Sequence, residues 1–136
     1  MAKQITVLIA EDNIHVREGL RIILSPVENM QIVGEAKNGE EAIAMAAQFV
    51  PDIILMDINM SPVNGFEATR KILKQFPAMK IIGLSLHKEL SYCRNLMRLG
   101  AMGYVTKSSP YEEIILAVKA VAAGGKYIDK ELSGLI

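Results

Sequence analysis

An aspartate that closes an apolar run is the side chain in this sequence best placed to do chemistry. Residues 53–56 are all apolar, Asp57 follows them, and Asn59 comes two positions later. This pattern predicts a short strand that is buried on both faces and ends at a carboxylate. A carboxylate beside a loop carbonyl at a sheet edge can hold a divalent cation or a phosphoryl group. The alternative is that Asp57 only begins a turn, as aspartate after a strand usually does.

Other strand-like segments also end at side chains with useful chemistry. Residues 5–10 are followed by Glu11 and Asp12, residues 80–84 by Ser85, and residues 103–106 by Lys107. Each side chain also has an ordinary explanation. An acid favours the first turn of the next helix, a serine is small, and a lysine is usually solvated. These residues therefore indicate a site only if the fold brings them together.

Strand-like and helix-like segments alternate along the whole chain. Five buried-type strands are each followed by a segment whose apolar residues recur three and four positions apart, as in a helix packed on a sheet. Asn13, Asn64 and Ser109 are placed to cap three of these helices. The alternation predicts an α/β fold with a doubly wound five-stranded parallel sheet. If the first and third strands are neighbours, the fold is flavodoxin-like, (βα)5 with the strand order 2-1-3-4-5, and that is the order we expect.

A parallel sheet would bring the strand ends to one edge. Right-handed crossovers place the carboxyl end of every strand on the same side, so Glu11, Asp12, Asp57, Ser85 and Lys107 should converge there. Carboxylates about 4 Å apart repel by roughly 4 kcal/mol per pair at an effective dielectric constant of about 20. This is a large part of a domain's stability, so the cluster is expected to serve a cation such as Mg²⁺, which prefers oxygen ligands.

The composition describes one ordered domain with balanced charge. The 136 residues are 51% hydrophobic, with 15 Lys and Arg against 15 Asp and Glu, and no basic run occurs. This pattern excludes a basic nucleic-acid or membrane-surface footprint. Cys93 is the only cysteine and cannot form an internal disulfide. No signal peptide precedes the first strand, and no apolar stretch approaches the about 18 residues of a membrane span, so a cytoplasmic domain is expected.

Taken together, these residues resemble the receiver domain of two-component response regulators, and the resemblance covers nearly the whole chain. The positions that carry it are Glu11 with Asp12, Asp57 with Asn59, Ser85, Tyr104 and Lys107. The resemblance implies a signalling domain, not a turnover enzyme, in which a sensor histidine kinase transfers a phosphoryl group to Asp57 with Mg²⁺. The metal ligands that it implies are Glu11, Asp12, Asp57 and the backbone carbonyl of Asn59.

The resemblance also implies which side chains bind and report the phosphoryl group. Lys107 and Ser85 would contact phosphoryl oxygens, and Tyr104 would swing inward and switch the face made by helix 4, strand 5 and helix 5. Asn59 and His87 match positions that line the path of the attacking water and tune the lifetime of the phosphate. The domain would promote its own phosphotransfer and autodephosphorylation.

Residues 100–107 and 124–128 look most like receivers of the LuxR/FixJ type, in which the next domain is a DNA-binding helix-turn-helix. We therefore expect a receiver domain at residues 1–125. Residues 126–136 should begin a linker toward an output domain that this sequence does not contain. DNA would be bound only through that output domain, and phosphorylation could promote a homodimer.

Two other functions remain open from the residues alone. The fold could be a docking or dimerisation module that is never phosphorylated. It could also be a small Mg²⁺-dependent phosphohydrolase with an aspartyl-phosphate intermediate. Such enzymes usually carry a second acid two residues after the nucleophile, where this chain has Asn59, and they usually place the nucleophile on the first strand rather than the third.

Overall fold

The computed structural model describes residues 4–86 and 90–134, within which strands and helices alternate. The six strands are β1 (Ile5–Ala10), β2 (Met30–Ala36), β3 (Ile53–Asp57), β4 (Lys80–Ser85), β5 (Gly103–Thr106) and β6 (Tyr127–Ile128). The six helices are α1 (Ile14–Leu24), α2 (Gly39–Phe49), α3 (Gly65–Gln75), α4 (Leu90–Leu99), α5 (Tyr111–Ala122) and α6 (Lys130–Ser133). None of these described helices is long and apolar enough to span a bilayer.

The strands form one parallel sheet in the order β2-β1-β3-β4-β5-β6. The expected flavodoxin-like α/β fold and the order 2-1-3-4-5 are confirmed. The expected strand number of five is wrong, because β6 lies beside β5 and pairs Tyr127 with Gly103 and Ile128 with Tyr104. Two residues are too few to show the apolar pattern by which a strand is recognised in a sequence.

Helices cover both faces of the sheet, because successive strand residues point to opposite sides. On one face, α2, α3 and α4 pack against strand residues that include Leu8, Ile54 and Met56. On the other face, α1 and α5 pack against residues that include Val7 and Leu55. The central strand β3 is therefore buried on both faces, as its apolar run predicts.

Asparagine side chains begin the helices that follow β1, β2 and β3. The side chains of Asn13, Asn38 and Asn64 accept hydrogen bonds from backbone N–H groups in the first turns of α1, α2 and α3. The cap expected from Ser109 does not form, because Pro110 takes the cap position of α5 and makes no side-chain cap hydrogen bond. The hydroxyl of Ser109 donates to Asp129 instead, which ties the turn before α5 to the C-terminal segment.

The segment after α5 folds back onto the sheet. β6 extends the sheet at β5, and α6 begins directly after Asp129, whose side chain accepts a hydrogen bond from the Glu131 N–H. Leu132 of α6 is buried in the core. These residues belong to the range 126–136 that the sequence assigns to the start of a linker, and they are part of the folded domain through residue 134. That this range leads toward a DNA-binding domain stays a prediction.

Candidate functional site

The strand pairing explains why distant residues meet at one edge of the sheet. Ala10 of β1 is paired with Met56 of β3, so Glu11 and Asp57, which follow them, are neighbours. At the next strands, the N–H of Lys107 donates to the carbonyl of Ser85 over 2.8 Å. The structure thus brings the predicted residues of β1, β3, β4 and β5 to the same edge.

Three carboxylates form a cluster between β1 and β3. Glu11, Asp12 and Asp57 each offer an oxygen, and these oxygens all lie within 4.8 Å of one another. Glu11 and Asp57 are buried, whereas Asp12 is exposed and marks the side from which the cluster opens to solvent. A compact set of carboxylate oxygens suits a hard cation such as Mg²⁺.

Lys107 lies inside the cluster rather than on the surface. Its Nζ is 2.7 Å from Oε1 of Glu11 and 3.2 Å from Oδ1 of Asp57, and its side chain is only 9% exposed. Burial works against the charged ammonium, but the hydrogen bond to Glu11 and the charges of Asp57 and Glu11 outweigh it. The pKa of Lys107 therefore lies above its ordinary value, and the side chain is a fixed positive charge at this edge.

Glu11 is the residue whose ionisation the site perturbs most clearly. Burial raises the pKa of Glu11 to about 7, and the negative charge of Asp57 adds to this effect. The hydrogen bonds from Lys107 and from the backbone N–H of Asn13, at 3.0 Å, oppose it. Glu11 is therefore easily protonated near neutral pH as long as no further cation lies beside it.

Asp57 has one occupied oxygen and one unpartnered oxygen. Oδ1 accepts a hydrogen bond of 2.9 Å from the backbone N–H of Asn59 and contacts Lys107. Oδ2 is buried and has no hydrogen-bond partner in the described part of the chain. A buried carboxylate oxygen without a partner is costly, so this atom is the one that a cation or a phosphoryl group would satisfy. The residues present therefore fit a Mg²⁺ site.

Gly65 allows α3 to begin directly against the backbone of Asp57. A Cβ atom at Gly65 would lie 2.4 Å from the carbonyl oxygen of Asp57 and 2.5 Å from Cα of Ile58. Distances this short exclude every side chain, so glycine is required there. The first turn of α3 thereby supports the loop that follows the buried aspartate.

Ser85 and Tyr104 are both fully buried beneath this edge. Ser85 ends β4, and Tyr104 lies on β5 opposite Gly83 of β4. A Cβ atom at Gly83 would lie 2.2 Å from Leu96 Cδ2, so glycine makes room for Leu96, whereas the ring of Tyr104 at 3.4 Å would be in ordinary contact. The ring of Tyr104 is enclosed in the core.

Asn59 and His87 are the two residues predicted to tune the lifetime of the phosphate. The side chain of Asn59 is exposed, and its backbone N–H bonds Asp57. His87 lies outside the described residues, so its predicted role has no structural counterpart here.

Sequence reasoning overlooked Arg17 and Asp129. The Nη1 of Arg17 donates to the carbonyl of Glu11 over 2.8 Å, and its Nε lies 3.6 Å from Glu35. Arg17 lies one turn after the cap of α1, on the side of the helix that packs against the sheet. A charged residue on an otherwise apolar helix face was the sequence feature that could have indicated its contacts. Asp129 hydrogen-bonds to the turn around Lys107, and nothing in its local sequence indicates this contact.

A flavodoxin-like sheet with buried acids and a lysine at its carboxyl edge defines a class of α/β domains that bind their ligands at the strand ends. Residues 7–119 match the family described as the response regulator receiver domain, and the chain belongs to this family. The chain is therefore a receiver domain of a two-component response regulator, which is a signalling protein.

Relatives of the chain include a transcriptional regulatory protein and a response regulator. The chain is 38% identical over 130 residues to the transcriptional regulatory protein DegU of Brevibacillus brevis, covering 96% of this chain and 55% of that protein. It is 37% identical over 129 residues to the response regulator GacA of Pseudomonas aeruginosa, covering 95% of this chain and 60% of that protein. The chain thus spans little more than half the length of these relatives.

Solved structures agree with this placement. A two-component response regulator of the LuxR family from Aurantimonas sp. SI85-9A1 superposes with a TM-score of 0.94 at 30% identity, covering 97% of this chain and 94% of that one. The signal receiver domain of the putative response regulator NarL from Mycobacterium tuberculosis superposes with a TM-score of 0.85 at 27% identity, covering 90% and 99%. The resemblance to LuxR-type receivers therefore extends over the whole folded domain.

Proposed function

We propose that this receiver accepts a phosphoryl group on Asp57 from the phosphohistidine of a sensor histidine kinase. The observation that carries the proposal is the buried, unpartnered Oδ2 of Asp57 beside an acidic cluster and a fixed ammonium. In the transfer, Oδ2 forms a bond to phosphorus as the bond between phosphorus and the histidine nitrogen breaks. The kinase histidine is the leaving group, and its ring nitrogen takes up a proton.

Two anions must meet in this reaction, and positive charge has to offset their repulsion. Bound Mg²⁺ would supply that charge at the acidic edge. Asp12, Asp57 and the backbone carbonyl of Asn59 would hold the ion, with Glu11 as a direct ligand or acting through a water. The raised pKa of Glu11 supports this assignment, because a cation would favour its ionised form and relieve the cost of burying it.

Lys107 and Ser85 would bind the oxygens of the transferred group. The ammonium of Lys107 already lies 3.2 Å from Oδ1 of Asp57, within reach of a phosphoryl group on the same carboxylate. Ser85 ends the strand next to Asp57 and can donate its hydroxyl to another oxygen. Asn59 would line the path of the attacking water, as would His87, and together they would set how fast the aspartyl phosphate is lost.

The phosphoryl group would act through β4 and β5. A shift of Ser85 toward the phosphoryl group would alter the packing around the ring of Tyr104, which is already buried on the neighbouring strand, and would change the face formed by α4, β5 and α5. Moving a two-state equilibrium from 1:99 to 99:1 takes about 5.5 kcal/mol, more than one hydrogen bond supplies. Several contacts on this face would have to change together.

The similarity to DegU and GacA supports a role in transcription regulation when a DNA-binding domain follows the receiver. DNA would then be contacted through that domain alone. Phosphorylation would control it through the altered receiver face, with a homodimer as the form that binds a two-fold symmetric site.

The test is incubation of the whole chain with acetyl phosphate and Mg²⁺, followed by intact-mass measurement. We expect a gain of one phosphoryl group that disappears with EDTA and in Asp57→Asn. Asp52→Asn is the matched control, because Asp52 lies next to the same strand at the opposite edge of the sheet, where it accepts hydrogen bonds from Thr6. This control should be phosphorylated normally.

Two results would contradict the proposal. Failure of the wild-type chain to gain mass would favour a docking module that works without phosphorylation. Continued release of phosphate from phosphate esters over many turnovers would favour a phosphohydrolase.

A further inference from the structure

The segment after α5 returns to the strand that carries the site lysine. Tyr127 and Ile128 pair with Gly103 and Tyr104, and the N–H of Asp129 donates to the carbonyl of Tyr104 over 2.8 Å. Asp129 therefore lies beside the end of β5, next to the turn that holds Lys107. This contact joins parts of the chain that are more than 20 residues apart in sequence.

The carboxylate of Asp129 binds this turn on both sides of Lys107. Its Oδ2 accepts hydrogen bonds from the N–H and the hydroxyl of Thr106, both at 3.3 Å, and from the hydroxyl of Ser109. Its Oδ1 accepts a bond of 2.9 Å from the N–H of Glu131 in α6. We call these four hydrogen bonds, made by Asp129 with Thr106, Ser109 and Glu131, the Asp129 clamp.

The clamp is a buried and charged contact. Asp129 is 3% exposed. Burial alone would raise its pKa, but the hydrogen bonds from Ser109, Glu131 and Thr106 outweigh this effect and lower it. Hydrogen bonds to an ionised acceptor are stronger than those between neutral groups, so the turn is held firmly from both ends.

We propose that Asp129 is the positioning residue for Lys107, and that through it the C-terminal segment controls how well the domain is phosphorylated. The inference rests on the proposed function of Asp57. Lys107 has to remain between Glu11 and Asp57 to receive a phosphoryl group, and its backbone lies in the turn that the clamp fixes. Misplacing a reacting charge by about 1 Å can cost on the order of 100-fold in rate.

The Asp129 clamp should also carry an effect from the phosphorylation site to the C-terminal segment. Coupling between two sites is reciprocal, so a phosphoryl group that draws Lys107 toward itself also alters the turn that holds Asp129. Asp129 caps α6 with its other oxygen. Phosphorylation is thereby transmitted to α6 and to any chain that follows it.

The first experiment replaces Asp129 by asparagine. Asp129→Asn keeps an oxygen for the N–H of Glu131 but places an NH₂ group where the donors of Thr106 and Ser109 converge. We expect phosphorylation by acetyl phosphate and Mg²⁺ to slow by about 3- to 10-fold. In a Lys107→Ala background the same substitution should have no further effect, because the residue that Asp129 positions is then missing.

The matched control is Glu113→Gln. Glu113 also bonds the C-terminal segment, by accepting the N–H of Lys130 over 2.9 Å, but among the described residues its side chain makes no hydrogen bond to residues 106–109. Glutamine retains the acceptor, so the phosphorylation rate should match that of the wild type. An equal slowing by Asp129→Asn with and without Lys107 would overturn the positioning role and leave only a structural one.

A second experiment reads the position of Lys107 without phosphorylation. Lysines are acylated slowly by an N-hydroxysuccinimide ester, and peptide mass analysis measures the modification of each one. Lys80 is the internal standard, because its Nζ is also held by a hydrogen bond, to the carbonyl of Ala122, and it makes no contact with Asp129 among the hydrogen bonds described. We expect Asp129→Asn to raise acylation of Lys107 relative to Lys80 by about threefold or more, since the turn opens locally. An unchanged ratio would overturn the inference. A wild-type chain that takes no phosphate would contradict the proposed function, while this ratio still decides the role of Asp129.

Discussion

At the scale of single residues, one ammonium compensates two buried carboxylates. Lys107 contacts both Glu11 and Asp57, whose side chains are fully buried at the edge of the sheet. Removing one partner of a buried ion pair leaves an uncompensated charge and is more costly than the pair itself is stabilising. The lysine that would bind the phosphoryl group therefore also holds the acidic edge together before phosphorylation.

We predict that Lys107→Met lowers the free energy of unfolding by about 2–4 kcal/mol in EDTA, because Glu11 and Asp57 then face each other without a cation. Urea unfolding followed by circular dichroism measures the change. Lys119→Met removes an exposed lysine of α5 and should stay within about 0.5 kcal/mol of the wild type. A Lys107 variant as stable as this control would show that the two contacts do not contribute to folding.

The pKa of Glu11 predicts how stability depends on pH when no metal is present. The value rises from 4.5 to about 7 on folding, so between these pH values the folded protein holds a proton that the unfolded chain has lost. Stability in EDTA should therefore fall as pH increases from about 4.5 to about 7, by about 2–3 kcal/mol from this residue. Urea midpoints across this range measure the slope.

Glu11→Gln should flatten that slope, because the side chain no longer titrates. Glu18→Gln removes an exposed acid of α1 and should keep the wild-type slope. Parallel slopes for the wild type and Glu11→Gln would mean that Glu11 is already ionised throughout this range.

At the scale of secondary-structure elements, close approach and local capping set the site. α3 can start at the backbone of Asp57 only because residue 65 is glycine, whereas Gly19 of α1 has nothing within 4 Å of an added Cβ atom. The two glycines thus have different functions in similar helices. Gly65 is required because no Cβ atom fits at its position, whereas Gly19 only weakens its helix.

We predict that Gly65→Ala destabilises the domain by roughly 2–4 kcal/mol and weakens Mg²⁺ binding, since α3 must move away from the loop that carries Asn59. Gly19→Ala is the matched control and should stabilise the domain by up to about 1 kcal/mol. Thermal unfolding gives the stabilities, and calorimetric titration with Mg²⁺ gives the affinities. A Gly65 variant with unchanged affinity would show that α3 does not support the metal-binding loop.

Local sequence accounts for the elements that begin with their own signals. Asn13 and Asn64 lie directly before amphipathic segments, and they cap α1 and α3 as the sequence predicts. Ser109 carries the same kind of signal, but Asp129 takes its hydroxyl, and α5 starts without a side-chain cap. A partner from another part of the chain overrode the local preference, and nothing near Ser109 indicates that partner.

At the scale of the whole molecule, the alternation of strands and helices was enough to predict a parallel sheet and the edge where Asp57 and Lys107 meet, whereas the strand order came from the flavodoxin-like pattern. It was enough because parallel strands place all their carboxyl ends on one side. The alternation did not predict where the folded domain ends at its C-terminal side. β6 has only two residues, and Asp129 makes its contacts through long-range hydrogen bonds that leave no periodic trace in the sequence.

The extent of the folded domain yields the last prediction. Leu132 lies beyond the expected boundary at residue 125, yet it is 1% exposed and belongs to the core. Leu132→Ala should lower the free energy of unfolding by about 2–4 kcal/mol, as loss of a buried leucine usually does. Leu116→Ala, in which the lost side chain is 48% exposed on α5, is the matched control and should cost about 1 kcal/mol or less. If residues 126–136 were only the start of a linker, Leu132→Ala would unfold in urea at the wild-type midpoint.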